Sequence, residues 1–219
     1  MTTVANIDNS ELLEVIDSHK QEEIIEVLMQ QPFELRALVT EVSVDMWGGF
    51  AKVIQVVFPN AVVVYDRFPV MKRGNEELNK FRKKIGMTVR GSKYLLLKNG
   101  SDLESDEQLK LEKILNYSIC LRFAYEWKEE LRDIYETSKN VKSGQIRLKK
   151  WLETAQVFYG EAVSTIRNHF EGICNYFISR STSGVMEGIN TRIKLIMRQG
   201  YGFSNFDNFR SRLMACFSD

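Results

Sequence analysis

Two aspartates, Asp45 and Asp66, each close a short apolar, β-branched run: LVTEVSVD (Leu38–Asp45) and AVVVYD (Ala61–Asp66). In an α/β sheet, chemistry gathers at the carboxyl ends of parallel strands, where residues from successive strands converge. A third carboxylate, Glu187, lies far along the chain in STSGVMEGINTRIKLIMR (Ser181–Arg198). Glu187, Asn190, Thr191, Lys194 and Arg198 fall at i, i+3, i+4, i+7 and i+11, on one face of a helix. Carboxylates are hard oxygen ligands for a divalent ion, and cations farther along the same face suit DNA phosphates. Plainer roles compete. An Asp at a strand end also serves as a turn former or helix cap, and a helix with this charge spacing is also an ordinary solvated face.

The elements around these residues follow from local pattern. Thr3–Ile7 and Glu11–Asp17 read as a strand pair. Ser18 is an N-cap, with Gln21 at the capping-box position, for a helix that buries Ile24, Ile25, Val27 and Leu28 and stops at Pro32. Leu38–Asp45 is the next strand, with Leu38, Val42 and Val44 on one side and Glu41, Ser43 and Asp45 on the other. Glu41, like Glu34 before it, is expected to be solvated. Gly48-Gly49 opens a helix over Phe50, Val53, Ile54, Val57 and Phe58, and Ala61–Tyr65 is a buried strand. Strand, helix, strand at this spacing is a βαβ unit with parallel pairing.

After Asp66 the period becomes helical. Glu76–Lys84, Asp106–Leu115, Phe123–Glu136, Arg147–Tyr159 and Ala162–Ile178 read as helices, the last with the stripe Val163, Ile166, Phe170, Ile173 and Phe177. Lys139–Gly144 is the expected exposed loop. Thr182 or Ser183 caps a final helix that buries Val185, Ile189, Ile193 and Ile196 and ends at Gly200 as its C′ glycine. Phe203, Phe206, Phe209 and Leu213 are core aromatics and aliphatics.

With 219 residues, 44% hydrophobic and 27% charged, the chain is large enough for a buried core, and disorder and disulfide scaffolds are excluded. The net charge of +1 hides an asymmetry. Met1–Asp66 holds three basic residues against eleven acidic, whereas Arg67–Lys98 holds ten basic against only Glu76 and Glu77. That block points to a polyanion partner. The scattered Cys120, Cys174 and Cys216 read as reduced core fillers in an intracellular protein. His19 and His169 lack a zinc-ligand neighbourhood. No apolar run reaches the length of a membrane span.

Five stretches together carry a resemblance: VSVDMWGGF (Val42–Phe50), VFPNAVVVYDRFPV (Val57–Val70), SKYLLLKN (Ser92–Asn99), SGVMEGINTRIK (Ser183–Lys194) and GYGFSNFDNFRSRL (Gly200–Leu213). From about Leu12 to Leu213 the chain resembles the DDE-type transposases of bacterial insertion sequences, in the group called the insertion-sequence L-three family. The resemblance implies an α/β, partial ribonuclease-H-like fold: a core over 1–70, a large all-helical insertion over 71–180, and C-terminal helices over 181–219 that complete the core. It also implies a two-metal Mg²⁺ site for phosphodiester cleavage and strand transfer. Asp45 and Glu187 match catalytic metal-ligand positions, Asp66 matches the start of a D-x-x-H element beside the site, and Arg192, Lys194 and Arg198 would contact DNA. The implied partner is double-stranded DNA at transposon ends, with a second copy or a full-length transposase as a further partner, in the cytoplasm at the bacterial nucleoid.

Three positions depart from that family pattern. The first catalytic Asp would lie on a strand upstream of Thr3–Ile7, so the metal site is incomplete here. Pro69 replaces the His of D-x-x-H, and Ser183 replaces an Asn. Without the upstream strand, which is central in a ribonuclease-H-like sheet, the strands beside it must close the gap or leave two open edges. The expectation is an N-terminally truncated, inactive transposase remnant. The rival expectation is a non-catalytic module that binds DNA or transposase and modulates transposition.

Overall fold

A computed structural model of the protein describes residues 1–46, 48–181 and 184–217. They belong to two units, Met1–Val63 with Ser181–Asp219, and Val64–Arg180. The first unit begins with a hairpin. Strand β1 (Thr2–Asn6) pairs antiparallel with β2 (Glu11–Ile16), and Ser10 adopts a left-handed φ of 55° in the turn. The register slips between Val4, opposite Glu14, and Ala5, opposite Leu12. This bulge gives β2 an extra residue and re-aims its side chains. Leu12 and Val15, three apart, therefore face the same cluster, whereas an unbroken strand would point them to opposite sides.

Helix α1 (Gln21–Met29) follows, with Ile24 and Leu28 buried. Ser18 is not its N-cap: that position is Lys20, whose N–H donates to the Ser18 hydroxyl (2.9 Å) two residues back. Pro32 ends α1 and opens a short helix α2 (Phe33–Ala37) that the hydrophobic pattern did not reveal, because none of its residues is buried. Leu38, expected in a strand, is the C-cap of α2 and is 74% exposed. Strand β3 is consequently shorter than expected, Glu41–Val44.

Helix α3 (Gly48–Val57) leads to strand β4 (Val62–Tyr65), which pairs with β3. The Val62 N–H donates to Thr40 O (3.0 Å), setting the start of β4 beside the start of β3, as a βαβ crossover requires. Among the described residues β1–β2 and β3–β4 are two separate two-stranded sheets. The two sheets do not merge, and the result is a helix-rich α/β fold with small sheets.

The second unit is all helix beyond its strand residues: α4 (Arg67–Lys84), α5 (Ser92–Leu97), α6 (Ser105–Leu115), α7 (Ile119–Thr137), α8 (Val141–Thr154), α9 (Gly160–Asn168) and α10 (Phe170–Ser179). Trp151, buried in α8, donates its indole N–H to Trp127 O (2.8 Å), so its polar atom is satisfied. Two expectations fail here. Lys139–Gly144 is not an exposed loop: Asn140 caps α8 through Ser143 N–H (2.9 Å), and Gly144 is buried in the helix. The reason is packing, since a Cβ on Gly144 would lie 2.2 Å from the Phe177 ring. The single helix expected over Ala162–Ile178 breaks at His169 into α9 and α10, although the stripe Val163, Ile166, Ile173 and Phe177 stays buried across the break.

The chain returns to the first unit with α11 (Gly184–Gln199) and α12 (Phe206–Phe217). Ile189, Ile193 and Ile196 of α11 and Phe209 and Leu213 of α12 cover Leu12 and Val15. Ile24, Leu28, Val53 and Val57, from α1 and α3, surround Ile16 in a second cluster. Each such buried aliphatic stabilises the fold by roughly 1.5–3 kcal/mol, and together they enclose β2 between two helical layers. Gly200 is not the left-handed residue expected after α11. Tyr201 (φ 52°) and Gly202 (φ 91°) take that conformation, and Gly202 N–H returns to Met197 O (3.1 Å) in a Schellman closure. Gly200 is required for space, because a Cβ there would meet the Phe203 ring at 2.8 Å. Cys174 is buried and Cys216 half-buried, but Cys120 is exposed and fills no core space.

Candidate functional site

Asp45 sits one residue past β3, exposed, and its Oδ1 accepts the next backbone N–H, that of Met46 (2.7 Å). This short-range bond fixes the carboxylate at the strand end, the position expected for it. At the other end of β3, Glu41 is half-buried and accepts a 2.6 Å hydrogen bond from the Ser181 hydroxyl. Glu41 was expected to be solvated and is instead a tether. Ser181 is 140 positions away in sequence and directly precedes the α11 region, so the bond joins the strand that leads to Asp45 to the segment leading into the helix of Glu187. Nothing in the local pattern signals this pairing.

On α11 the polar face forms as the periodicity required. Glu187, Asn190, Thr191, Lys194 and Arg198 are all exposed, opposite the buried isoleucines, and Thr191 donates back to Glu187 O (2.8 Å). Lys194 and Arg198 carry no ion pair among the described residues. Arg192 is engaged differently. Its guanidinium donates to Cys216 O and lies 4.6 Å from the centre of the Phe217 ring. A cation at the last carbonyls of α12 complements the negative end of that helix, so Arg192 holds α12 against α11. Thr182 and Ser183, expected as the cap of α11 and, for Ser183, as a departure from the family pattern, lie outside the described residues.

Asp66 serves as a helix cap. It is 6% exposed, and its Oδ1 accepts the Phe68 N–H (3.0 Å) as the N-cap of α4. Pro69 is then the third residue of α4, where the backbone N–H has no partner within the helix, so losing it costs little. Among the described residues no three His, Cys, Asp or Glu side chains are grouped so that they could hold a metal ion. The described carboxylates therefore do not by themselves fit the complete Mg²⁺ site implied by the family resemblance.

These features define a helix-rich α/β protein that presents a strand-end carboxylate and a carboxylate-plus-cation helix face. The family model described as transposase, of the DDE ISL3 type, matches residues 1–213, and the chain belongs to that family. It is 25% identical over 194 residues to the transposase for insertion sequence element IS1001 of Bordetella parapertussis, covering 82% of this chain and 48% of that protein. It is also 25% identical over 238 aligned positions to the transposase for IS1557 of Mycobacterium tuberculosis, covering 93% of this chain and 53% of that protein. The chain thus spans about half the length of the curated relatives it matches. No solved structure matches it. Among the described residues no helix is long and apolar enough to cross a membrane.

Proposed function

We propose that this transposase-family chain binds the DNA of insertion-sequence ends and does not cut it unaided. The observation that carries this reading is the exposed face of α11, where Lys194 and Arg198 follow Glu187 along the helix without a carboxylate partner among the described residues. Exposed cations of this kind track phosphates, giving salt-sensitive and sequence-tolerant affinity. Asp45 and Glu187 are the positions that match metal ligands in the family. The Ser181–Glu41 bond, linking the strand of one to the approach of the other, supports their acting as a pair. A pair is short of a three-carboxylate set, so in this reading cleavage requires a further carboxylate.

The test is a salt titration of the purified chain on duplex DNA, followed by fluorescence anisotropy, beside a strand-transfer assay in Mg²⁺. Changing Lys194 and Arg198 to Ala should lower the slope of log affinity against log salt by about 0.9 for each phosphate no longer neutralised. No joined product should form with the chain alone. Unchanged binding by the double variant would remove the α11 surface from the reading, and strand joining by the unaided chain would refute the non-cleaving half.

A further inference from the structure

The basic block between Arg67 and Lys98 is only partly consumed inside its own unit. Arg67 pairs with Glu136, Arg73 and Lys80 with Glu161, and Lys98 with Glu107. Arg82 places its guanidinium on Met87 O and the Ser92 hydroxyl. Lys83, Lys84, Arg90 and Lys93 remain exposed without an ion pair among the described residues, as do Lys110 and Lys113 on α6. Of these, Arg90, Lys110 and Lys113 come together where the end of α4 approaches the end of α6, joined by the Tyr117 hydroxyl donating to Ile85 O (3.5 Å).

An open cleft of about 240 Å³ lies at that junction. Its floor is apolar, formed by the buried Met87, Leu95 and Ile114. Its rim is the exposed Val89 and Tyr117 with Arg90, Lys110 and Lys113, and among the described residues no carboxylate lines it. An apolar floor under a rim whose charges are all cationic selects a ligand that joins a flat apolar group to an anion. The volume lies below the roughly 300–1,000 Å³ of sites for drug-sized ligands, so it admits one small ring system rather than a long chain. A nucleotide unit meets both demands: its base offers a face to Tyr117, and its phosphates meet the lysines. A stacked base in a duplex offers neither face, so the matching form is unstacked.

We infer that this cleft receives one unstacked base of a DNA strand whose phosphates lie along Lys110, Lys113 and Arg90. The inference rests on the DNA-binding reading above and deepens it, adding a surface for single-stranded DNA on the helical unit. The test uses the full chain and a single-stranded oligonucleotide carrying one 5-iododeoxyuridine. Irradiation should cross-link that base to Tyr117 or Met87, mapped by mass spectrometry. Tyr117→Ala should weaken single-strand binding roughly tenfold, the usual effect of removing one stacking ring, and leave duplex binding within twofold. Tyr117→Phe, which keeps the ring and loses the bond to Ile85, should bind as wild type. Changing Lys110 and Lys113 to Ala should lower the single-strand salt slope by about 1.4. Cross-links confined to other segments, or a Tyr117→Ala variant that binds like wild type, overturn the cleft. If duplex binding still depends on Lys194 and Arg198, the α11 reading survives that result, whereas a chain that binds no DNA overturns both.

Discussion

Arg210 on α12 grips Glu14 on β2 through two parallel hydrogen bonds, Nε to Oε1 and Nη2 to Oε2, both 2.7 Å. The pair is 196 residues apart in sequence and clamps the last helix onto the opening hairpin. The Arg210 guanidinium holds the Glu14 carboxyl below its usual range, against a smaller opposing effect of burial. A depressed carboxyl stabilises the fold above its unfolded value near 4.5, and that contribution is lost as pH falls through the lower folded value. Arg210→Ala should cost about 1 kcal/mol at neutral pH, because the half-exposed guanidinium is screened by water. The wild-type advantage should vanish in acid. Urea melts of both proteins at neutral and acid pH check this, and a pH-independent difference would show that packing, not the ion pair, is responsible.

Glu77, 8% exposed in the middle of α4, accepts the N–H groups of Glu161 (2.9 Å) and Ala162 (2.8 Å) at the start of α9. It therefore caps a helix 84 residues away in sequence. Glu77→Ala leaves the buried Ala162 N–H and the part-buried Glu161 N–H without their partner and should cost about 1–3 kcal/mol. Hydrogen exchange at residues 161 and 162 should accelerate before the rest of the unit. Uniform acceleration, or none, would refute the capping role.

Lys128 is buried in α7 with its ammonium on Leu96 O and Lys98 O, both 2.9 Å, beside Glu129 and over the Tyr125 ring. It secures the end of α5, whose last carbonyls lack partners within the helix. Desolvation outweighs Glu129 and pulls the ammonium from 10.5 down to about 8. Between those values the unfolded chain holds the proton and the native chain releases it. Stability from this group is therefore complete above pH 10.5 and lost as pH falls through 8. Lys128→Met should cost about 2–3 kcal/mol below pH 8, with the gap to wild type widening as pH rises toward 10.5. Urea melts across that window measure it, and a narrowing gap would mean that the buried ammonium holds its proton more tightly than the unfolded chain does.

Gly144→Ala places a methyl 2.2 Å from the Phe177 ring in an otherwise favourable helix substitution. The overlap should outweigh the gain in helix propensity and cost roughly 1–3 kcal/mol net. Combining it with Phe177→Leu should recover part of the loss. A single variant as stable as wild type in thermal melts would show that the ring moves aside freely.

How much of this was legible in the residues depends on the range of the interaction involved. The stripe Ile189, Ile193, Ile196 and the exposed face of Glu187, Lys194 and Arg198 arise from a period shorter than two turns, so a local reading finds them. The hairpin β1–β2 and the βαβ spacing around α3 were readable for the same reason, and the combined motifs were enough to indicate the transposase family, which the match over residues 1–213 supports. The break at His169, the helical state of residues 141–144 and the unburied α2 escaped, because local apolar period and turn composition pointed elsewhere. Asp66 was open to two readings, and the structure shows it as the cap of α4.

What the amino-acid order determined alone was therefore the kind of each long element, the faces they bury, and the family to which the chain belongs. Tertiary structure alone decided that β2 carries a bulge that turns Leu12 and Val15 to one side, that Glu41 meets Ser181, and that Arg192 is occupied at the end of α12. The bulge follows from the register of the β1–β2 hairpin, while the other two depend on groups 140 and 24 residues apart, and no local period encodes such contacts.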